Sequence, residues 1–325
     1  MLTYIGRRIL YSIPVLVVAS FLIFWGVRST PGYDPLAKYR ASRDAARLIP
    51  LKRHQLGLDR PIFVQWWTWF THALRGDLGT SDRTNSGVWS MIGHALWPTM
   101  QLMFWGTVLA LAIAIGVGVY SAVKQYSPGD YFFTGLSYIG LAMPPFVFGL
   151  LSIALLVTWP KDRFNLQNPV FYSIGLHNEG VAGINLDYFR HLALPVLTLT
   201  VQIIASWSRF QRASMLDVLH ADYVRTARAK GVPERRVIFK HAFRNALIPL
   251  VTVAALDTAF LIGGLVITEQ IFAIPGMGRL FLNALYVGDV PVLLGWFLVV
   301  AIFVIAANLI ADILYGILDP RIRLA

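Results

Sequence analysis

Six long apolar runs constrain this chain more than any other feature of its sequence. They lie at residues 9–27, 99–123, 131–159, between 190 and 209, and at 246–268 and 291–316. Each is close to the roughly 20 residues that an α-helix needs to cross the hydrocarbon core of a bilayer. Backbone groups in lipid must be hydrogen-bonded within a helix or a closed barrel, and these runs are too long for barrel strands. The sequence therefore predicts an all-α bundle of six transmembrane helices in a lipid bilayer.

Charge and residue composition exclude several other classes of protein. Only 14% of the 325 residues are charged, whereas a soluble domain has about 25%. There is no cysteine, so disulfides, thiolate catalysis and Cys-ligated metals are excluded. The net charge of +11 is distributed over several loops, so no nucleic-acid partner is expected. The seven histidines follow no metal-binding spacing, and we predict neither a metal site nor catalytic residues.

The distribution of basic residues predicts the orientation in the membrane. The positive-inside rule applies to loops shorter than about 60 residues, so the long segment 28–98 is set aside. If the N-terminus is cytoplasmic, fourteen Lys or Arg residues then lie inside and four outside. We therefore predict that both termini are cytoplasmic. The first run is longer than a signal-peptide core and lacks a small-x-small cleavage site, so we expect a retained anchor.

The predicted organisation has two parts. Residues 1–98 form an N-terminal transmembrane helix and a long extracytoplasmic loop, and residues 99–325 form a five-helix core with a cytoplasmic loop at 209–246. Helical spacing of apolar residues predicts a helix over 62–75 in the first loop, between Pro61 and Gly76. Its Trp66, Trp67 and Trp69 fit either an interfacial helix or a docking surface for an extracytoplasmic partner.

The inner loop contains a second predicted helix, at 222–231. Asp222 is suited to cap its start, Lys230 favours its C-terminal dipole, and Gly231 stops it. Val224, Ala227 and Gly231 form a small-residue face that fits closely into a groove. A solvated basic connector is the simpler interpretation, but a connector needs only a few residues.

Polar residues interrupt the last two apolar runs. Asp257 lies within the fifth run, where a charge costs roughly 2.5–3.5 kcal/mol. It is interpreted either as part of a pathway or gate, or as a packed carboxylate paired with another helix. Asn308, Asp312, Tyr315 and Asp319 form a polar stripe on the sixth run, which either lines an inner opening or makes hydrogen bonds between helices. In the third run, Pro144 and Pro145 predict a break or kink.

Several fragments, in order along nearly the whole chain, resemble one family. They are 222–231 (Asp-Tyr-Val-Arg-Thr-Ala-Arg-Ala-Lys-Gly), His241 to Asn245, Leu56 to Pro61, 76–79 (Gly-Asp-Leu-Gly), Leu194-Pro195, Glu269 to Phe272, 275–278 (Pro-Gly-Met-Gly), and Asn308 to Arg321. Together they resemble the inner-membrane permease subunits of bacterial peptide ABC importers, the dipeptide/oligopeptide permease B family. The general family motif in the inner loop is degenerate here, since its acidic first position is Arg225 and its second alanine is Thr226.

This resemblance implies a type I ABC importer permease in the bacterial inner membrane. A homologous second permease subunit, two ATP-binding subunits on the cytoplasmic face and an extracytoplasmic substrate-binding protein would be its partners, with a peptide as the substrate. ATP and Mg would be bound by the partner subunits, and no cofactor by this chain, which lacks a G-x-x-x-x-G-K-[ST] motif. The implied contact with an ATPase subunit is made by Asp222, Tyr223, Val224, Arg225, Thr226, Ala227, Arg228, Ala229, Lys230 and Gly231.

Two further groups of residues are candidates for function. Asp257, Asn308 and Asp312 are predicted to line the substrate pathway, with Asp257 near the amino terminus of the peptide. Glu269, Phe272, Pro275 and Gly276 are predicted to contact the binding protein at the outer face, within a segment 269–289 that dips back as a lid.

Two other functional classes remain open at this point. An ion- or proton-coupled secondary carrier would use Asp257 and Asp312 as relay groups, although such carriers often show internal repeats and more spans. A structural membrane scaffold would transport nothing. The cargo also remains open, as a dipeptide, an oligopeptide, a glutathione-like compound or nickel.

Overall fold

The computed structural model describes most of the chain. The backbone is described at residues 2–30, 34–40, 43–55 and 57–318, and the side chains at these positions except 2–5, 37–38, 259–260, 263–264 and 314–318. Some residues of the motifs above lie outside the described residues, namely Leu56, Asp319, Pro320 and Arg321. The side chain of Tyr315 also lies outside them.

Helices make up the architecture, as predicted. They are α1 (Leu2–Arg28), α2 (Ala37–Arg40), α3 (Ala45–Gln55), α4 (Ile62–Leu74), α5 (Val88–Val123), α6 (Pro128–Ala142), α7 (Pro145–Ile153), α8 (Trp159–Phe164), α9 (Leu186–Leu219), α10 (Asp222–Ala229), α11 (Glu234–Arg236), α12 (Phe243–Gly264), α13 (Val266–Ile271), α14 (Met277–Val287) and α15 (Val290–Leu318). Two π-helical segments, Ala154–Thr158 and Val237–Ala242, join α7 to α8 and α11 to α12. In the described ranges there is no β-strand beyond an isolated bridge.

Six helical segments are long and apolar enough to cross a membrane. They are Gly6–Arg28, Val88–Val123, Pro145–Phe164, Leu186–Leu219, Glu234–Thr258 and Val290–Ile313. The predicted number is confirmed within the described residues. The fourth helix continues ten residues past the predicted end of its apolar run, so the inner loop between helices is shorter than the sequence indicated.

The third predicted span is not one continuous helix. Helix α6 ends at Ala142, and Met143 and Pro144 are both extended, with ψ of 120° and 140°. Proline lacks a backbone N–H and disfavours a helical conformation at the residue before it, so the predicted break at Pro144 is confirmed. The Met143 carbonyl accepts a hydrogen bond from Gln202 Nε2 at 3.0 Å, which satisfies a group that the break leaves without a helical partner.

The chain divides into two compact units. One comprises Met1–Pro98 and Pro275–Ala306, and the other Thr99–Ile274 and Ala307–Ala325. The first unit thus contains the predicted N-terminal part together with residues 275–306, which belong to the predicted five-helix core at 99–325. The second unit contains the inner loop.

In the first unit, the predicted loop helix packs on the first spanning helix. Helix α4 ends before Gly76, whose positive φ of 84° suits a residue without a Cβ. Trp66 is buried against α1, where its Nε1 donates to Ser20 Oγ at 3.2 Å and its ring meets Phe21 edge-on. The neighbouring Trp67 is exposed. Trp66 therefore fixes α4 to α1, whereas Trp67, whose ring centroid is 5.7 Å from that of Trp66, stays exposed.

A buried carboxylate connects two other parts of the first unit. Asp289, at the start of α15, accepts hydrogen bonds from Ser81 Oγ and, at 3.1 Å, from the backbone N–H of Asp82. Arg83 donates from its guanidinium group to the carbonyl of Val287, the last residue of α14. The C-terminal end of α14 is therefore held by the loop at 77–87.

The second unit is organised around α9. Helices α6, α7, α12 and α13 all pack on it. The ring of Trp207 is completely buried in this core, in a cluster with Ala110, Ala114, Leu250 and Ala254. Small residues on α5 and α12 leave the space that the indole fills.

Replacement of Gly118 by alanine is expected to reduce the free energy of unfolding by about 1–3 kcal/mol, the usual cost of overpacking. A Cβ at Gly118 of α5 would lie 2.6 Å from the Cβ of Gln211 and 2.8 Å from the backbone oxygen of Ser208, so α5 and α9 would have to separate. Gly116 has no atom within 4 Å of the same position. Gly116→Ala is the matched control, expected to gain up to about 1 kcal/mol from helix propensity. Thermal unfolding of the detergent-solubilised protein measures both, and equal stability of the two variants would contradict this packing.

Candidate functional site

The inner loop forms a short helix that ends as predicted and begins differently. Helix α10 stops before Gly231, which has a φ of 75°, a left-handed conformation that glycine adopts without strain. Its N-cap, however, is Ala221, and no side chain caps the first turn. Asp222 is instead the first helical residue, with a fully solvated carboxylate that favours the positive end of the helix dipole. The predicted cap at Asp222 is therefore corrected to a dipole interaction.

The apolar face of α10 is turned towards the chain itself. Val224 is completely buried and Ala227 nearly so, in a cluster with Met215 of α9 and Val237 and Ala242 of the following π-helical segment. Two residues of the small-residue face predicted to fit a groove, Val224 and Ala227, are therefore part of this chain's own core, whereas the third, Gly231, is exposed. The exposed residues of the predicted contact segment are Asp222, Tyr223, Arg225, Thr226, Arg228, Ala229, Lys230 and Gly231.

Polar contacts hold α10 at both ends. Arg228 forms a bidentate pair with Glu234, with N–O distances of 3.2 and 2.8 Å, and also donates to the Leu219 carbonyl at 3.3 Å. The hydrogen bond to Glu234 raises the pKa of Arg228 above its usual value. At the other end, Asn245 Nδ2 donates to the hydroxyl of Tyr223 at 2.9 Å. The exposed face of α10 is thus held in a fixed orientation by α9, α11 and α12.

A buried ion pair lies in the same unit and was not identified from the sequence. Asp130, in the first turn of α6, accepts from Arg212 Nε and Nη2 of α9 at 3.1 and 2.9 Å, and from the backbone N–H of Tyr126 at 3.0 Å. Burial opposes ionisation of this carboxyl group. The hydrogen bonds from Arg212 and Tyr126 outweigh burial, so the pKa of Asp130 is below its usual value.

The predicted pathway residues are in different environments. Asp257 of α12 is exposed, and its Oδ2 accepts a hydrogen bond from Trp207 Nε1 at 2.8 Å. Asn308 and Asp312 of α15 are half-buried. In the part of the chain that the structure describes, no hydrogen bond or ion pair joins Asp257 to either of them. The structure therefore connects Asp257 with a tryptophan that the sequence analysis did not select.

The predicted outer-face residues are mostly inaccessible. Glu269 is completely buried and accepts from Thr99 Oγ1 at 2.6 Å, and Phe272 is also completely buried. Gly276 is buried, and Pro275 is exposed. Of these four residues, Pro275 is accessible to a partner protein in this conformation, and direct contact by the Glu269 and Phe272 side chains does not fit their burial.

The sequence contained weak signals for the residues that were missed. Asp130 follows Ser-Pro-Gly directly before an apolar run, and its backbone N–H donates to Ser127 Oγ, the cap of α6. Arg212 and Trp207 lie on α9 among residues of mixed polarity, where spacing does not indicate a partner. Among the described residues, no group of three or more His, Asp or Glu side chains is placed to hold a metal ion.

Comparison with protein families gives two matches that together span nearly the whole chain. The family described as "Binding-protein-dependent transport system inner membrane component" matches residues 114–324. A second family, described as "Binding-prot-dependent transport system membrane comp, N-term", matches residues 1–103.

Individual relatives match over the same extent. The oligopeptide transport system permease protein AppB of Bacillus subtilis (strain 168) is 40% identical, over 99% of this chain and 100% of that protein. A putative peptide permease protein of Brucella ovis is 38% identical, over 99% of both chains. The glutathione transport system permease protein GsiC of Salmonella typhimurium is 35% identical, again over 99% of both.

Proposed function

Because this chain belongs to the family of inner membrane components of binding-protein-dependent transport systems, we propose that it forms half of the translocation pathway of an ATP-driven importer of dipeptides or oligopeptides. The names of the relatives support a peptide-like cargo: oligopeptide, peptide and glutathione transport are each named once among the three compared. The family is a non-catalytic permease component, and no catalytic role is assigned to this chain.

The proposed assembly contains four kinds of subunit. A homologous second permease completes the pathway, and a substrate-binding protein delivers the peptide from outside. Two ATP-binding subunits, carrying ATP and Mg, bind the cytoplasmic face and supply the energy. This arrangement rests on the predicted orientation in the bacterial inner membrane, with both termini in the cytoplasm.

The observation that carries this proposal is the geometry of α10. Its exposed residues present a polar, mainly basic surface, while its buried face and its polar contacts connect it to α9, α11 and α12. A partner that moves α10 therefore moves the spanning helices as well, because the buried face of α10 packs directly on α9 and on the segment before α12. An ATPase subunit that closes on ATP would transmit its motion through such a rigid contact.

The two alternative functions are less consistent with these findings. Family membership gives no support to an ion-coupled carrier, and Asp257 and Asp312 are not joined by a hydrogen bond or ion pair within the described chain. A scaffold would not need a braced surface helix between two spanning helices.

Single cysteines in α10 test the proposal, because the chain has no native cysteine. Ala229 is exposed and Ala227 is buried, and the two lie two positions apart on the same helix. A maleimide–benzophenone reagent on Ala229→Cys is expected to crosslink this chain to an ATPase subunit in the assembled importer. The same reagent on the matched control Ala227→Cys is expected to give no such product.

Uptake measurements decide between the three functions. In vesicles that contain the complete assembly and its binding protein, peptide uptake is expected to fall to background when ATP is withheld. Uptake that continues without ATP and follows an ion gradient would overturn the proposal in favour of a carrier. If no peptide is taken up under any of these conditions, the proposal is overturned in favour of a structural scaffold.

A further inference from the structure

One carboxylate of a spanning helix lies on an exposed face. Asp257 is seven residues before the end of α12, which is about 10 Å along the helix axis. The adjacent Leu256 is exposed as well. Ionisable residues in transmembrane helices face a bundle interior or a water-filled cavity, because exposure to lipid is costly. This face of α12 is therefore covered by water or by another protein surface.

A buried indole fixes the position of this carboxylate. Trp207 is completely buried, and its Nε1 donates to Asp257 Oδ2 at 2.8 Å. The close packing of small residues around the ring prevents its rotation, so this oxygen is held at a defined point. The indole is a neutral donor, so this hydrogen bond does not compensate the negative charge of Asp257.

The described part of the chain supplies no cation to Asp257. Its polar contact is with Trp207, and among the described residues it forms no ion pair with Lys, Arg or His. Residues 246–258 of α12 are otherwise apolar or carry a hydroxyl group. The second oxygen, Oδ1, has no hydrogen-bond partner among the described residues and is available to a positively charged ligand.

We propose that Asp257, positioned by Trp207, binds the α-ammonium group of the peptide in transit. This inference rests on the function proposed above. An ammonium group has three donors, and a carboxylate with one oxygen committed to an indole accepts from it with the other. The free amino terminus is common to peptides of every sequence. A site for that group alone would admit varied cargo and hold it weakly enough for release.

The test compares a free peptide with its N-blocked form. The complete importer is reconstituted in proteoliposomes, and ATP-dependent import of trialanine and N-acetyl-trialanine is measured at saturating binding protein. Asp257→Asn is expected to lower the ratio of trialanine import to N-acetyl-trialanine import about tenfold or more. This is the effect of losing a hydrogen bond to a charged group. The binding protein is the same in all assays, so its own preference cancels in the comparison of variants.

Three further variants sharpen the interpretation. Asp257→Glu keeps the charge and is expected to restore part of the preference for trialanine. Trp207→Phe keeps an aromatic ring in the core but removes the Nε1 donor, and we expect a several-fold smaller preference for trialanine. Asp217→Asn removes an exposed carboxylate of α9 as the matched control and is expected to leave the ratio unchanged. Co-purification of the partner subunits shows that each variant assembles.

The possible failures are distinguishable. Equal loss of import of both peptides in Asp257→Asn would overturn the ammonium site, as expected if Asp257 instead pairs with a cation of the second permease. An unchanged ratio in Asp257→Asn would overturn it as well. If the wild-type assembly shows no ATP-dependent import of either peptide, the proposed function fails before the site is tested.

Discussion

Replacement of Val224 by aspartate is expected to detach α10 and to reduce ATP-driven peptide uptake sharply. Val224 is completely buried in the cluster that joins α10 to α9 and to the segment before α12. A carboxylate there would be unpaired in an apolar site, which costs about 3 kcal/mol or more. Such a cost shifts the balance between attached and detached α10 by about 100-fold. Uptake is therefore expected to fall at least tenfold.

Limited proteolysis measures the detachment directly. Helix α10 and α11 contain Arg225, Arg228 and Arg235, and trypsin is expected to cut at them much faster in Val224→Asp than in the wild type. Arg225→Asp is the matched control, because it introduces the same charge at the adjacent, exposed position. Its cleavage at the remaining sites should stay at the wild-type rate. Similar cleavage of Val224→Asp and the wild type would show that the buried face of α10 is wrongly placed.

The second large effect is expected from Arg212→Met, which should lower the free energy of unfolding by about 3 kcal/mol. Removing one member of a buried ion pair leaves an uncompensated charge, at a cost of about 3–5 kcal/mol. The Asp130 side chain is 4% exposed, and that of Arg212 29%. We take the lower end of the range because Asp130 keeps the hydrogen bond from the Tyr126 N–H and is not left without donors.

The pH dependence provides a second readout for this pair. In the wild type the pKa of Asp130 is lowered, so the stabilisation is present above the ordinary carboxyl pKa and is lost as the pH falls through the lowered value. In Arg212→Met the part of that contribution that comes from Arg212 is absent at every pH. The difference in unfolding free energy between the two proteins should therefore be largest near neutrality and should shrink on acidification.

Chemical denaturation in detergent micelles at a series of pH values gives this difference. Arg209→Met is the matched control, since Arg209 lies one turn earlier on α9, is exposed, and stacks over the ring of Tyr138. An exposed cation–π contact of this kind contributes about 0.5–1 kcal/mol. A pH-independent difference for Arg212→Met would contradict the assignment of its stabilising effect to Asp130.

Local rules predicted the helices of this chain well. The apolar runs predicted the six spanning helices, and Pro144 predicted the break between α6 and α7. Gly231 predicted the end of α10. Each of these features depends on a few consecutive residues, through helix length, a missing N–H or a positive φ. A single sequence contains that information in full.

Contacts between residues that are far apart in the sequence could not be predicted from local patterns. Asp130 and Arg212 are 82 positions apart, and Trp207 and Asp257 are 50 apart. Helical spacing correctly grouped Val224 with Ala227, but it does not specify whether their common face meets a partner or the chain's own core. Likewise, the burial of Glu269 depends on Thr99, which lies 170 positions earlier.

The π-helical segment Val237–Ala242 determines how the side chains of α12 are rotated about the helix axis relative to the inner loop. A π turn contains about one residue more than an α turn, and each residue of an α-helix corresponds to about 100° of rotation. Without that extra residue, Asn245 would point about 100° away from Tyr223. Deleting or inserting one residue here would therefore re-aim the exposed surface of α10, whereas a conservative substitution at the same position would preserve its direction.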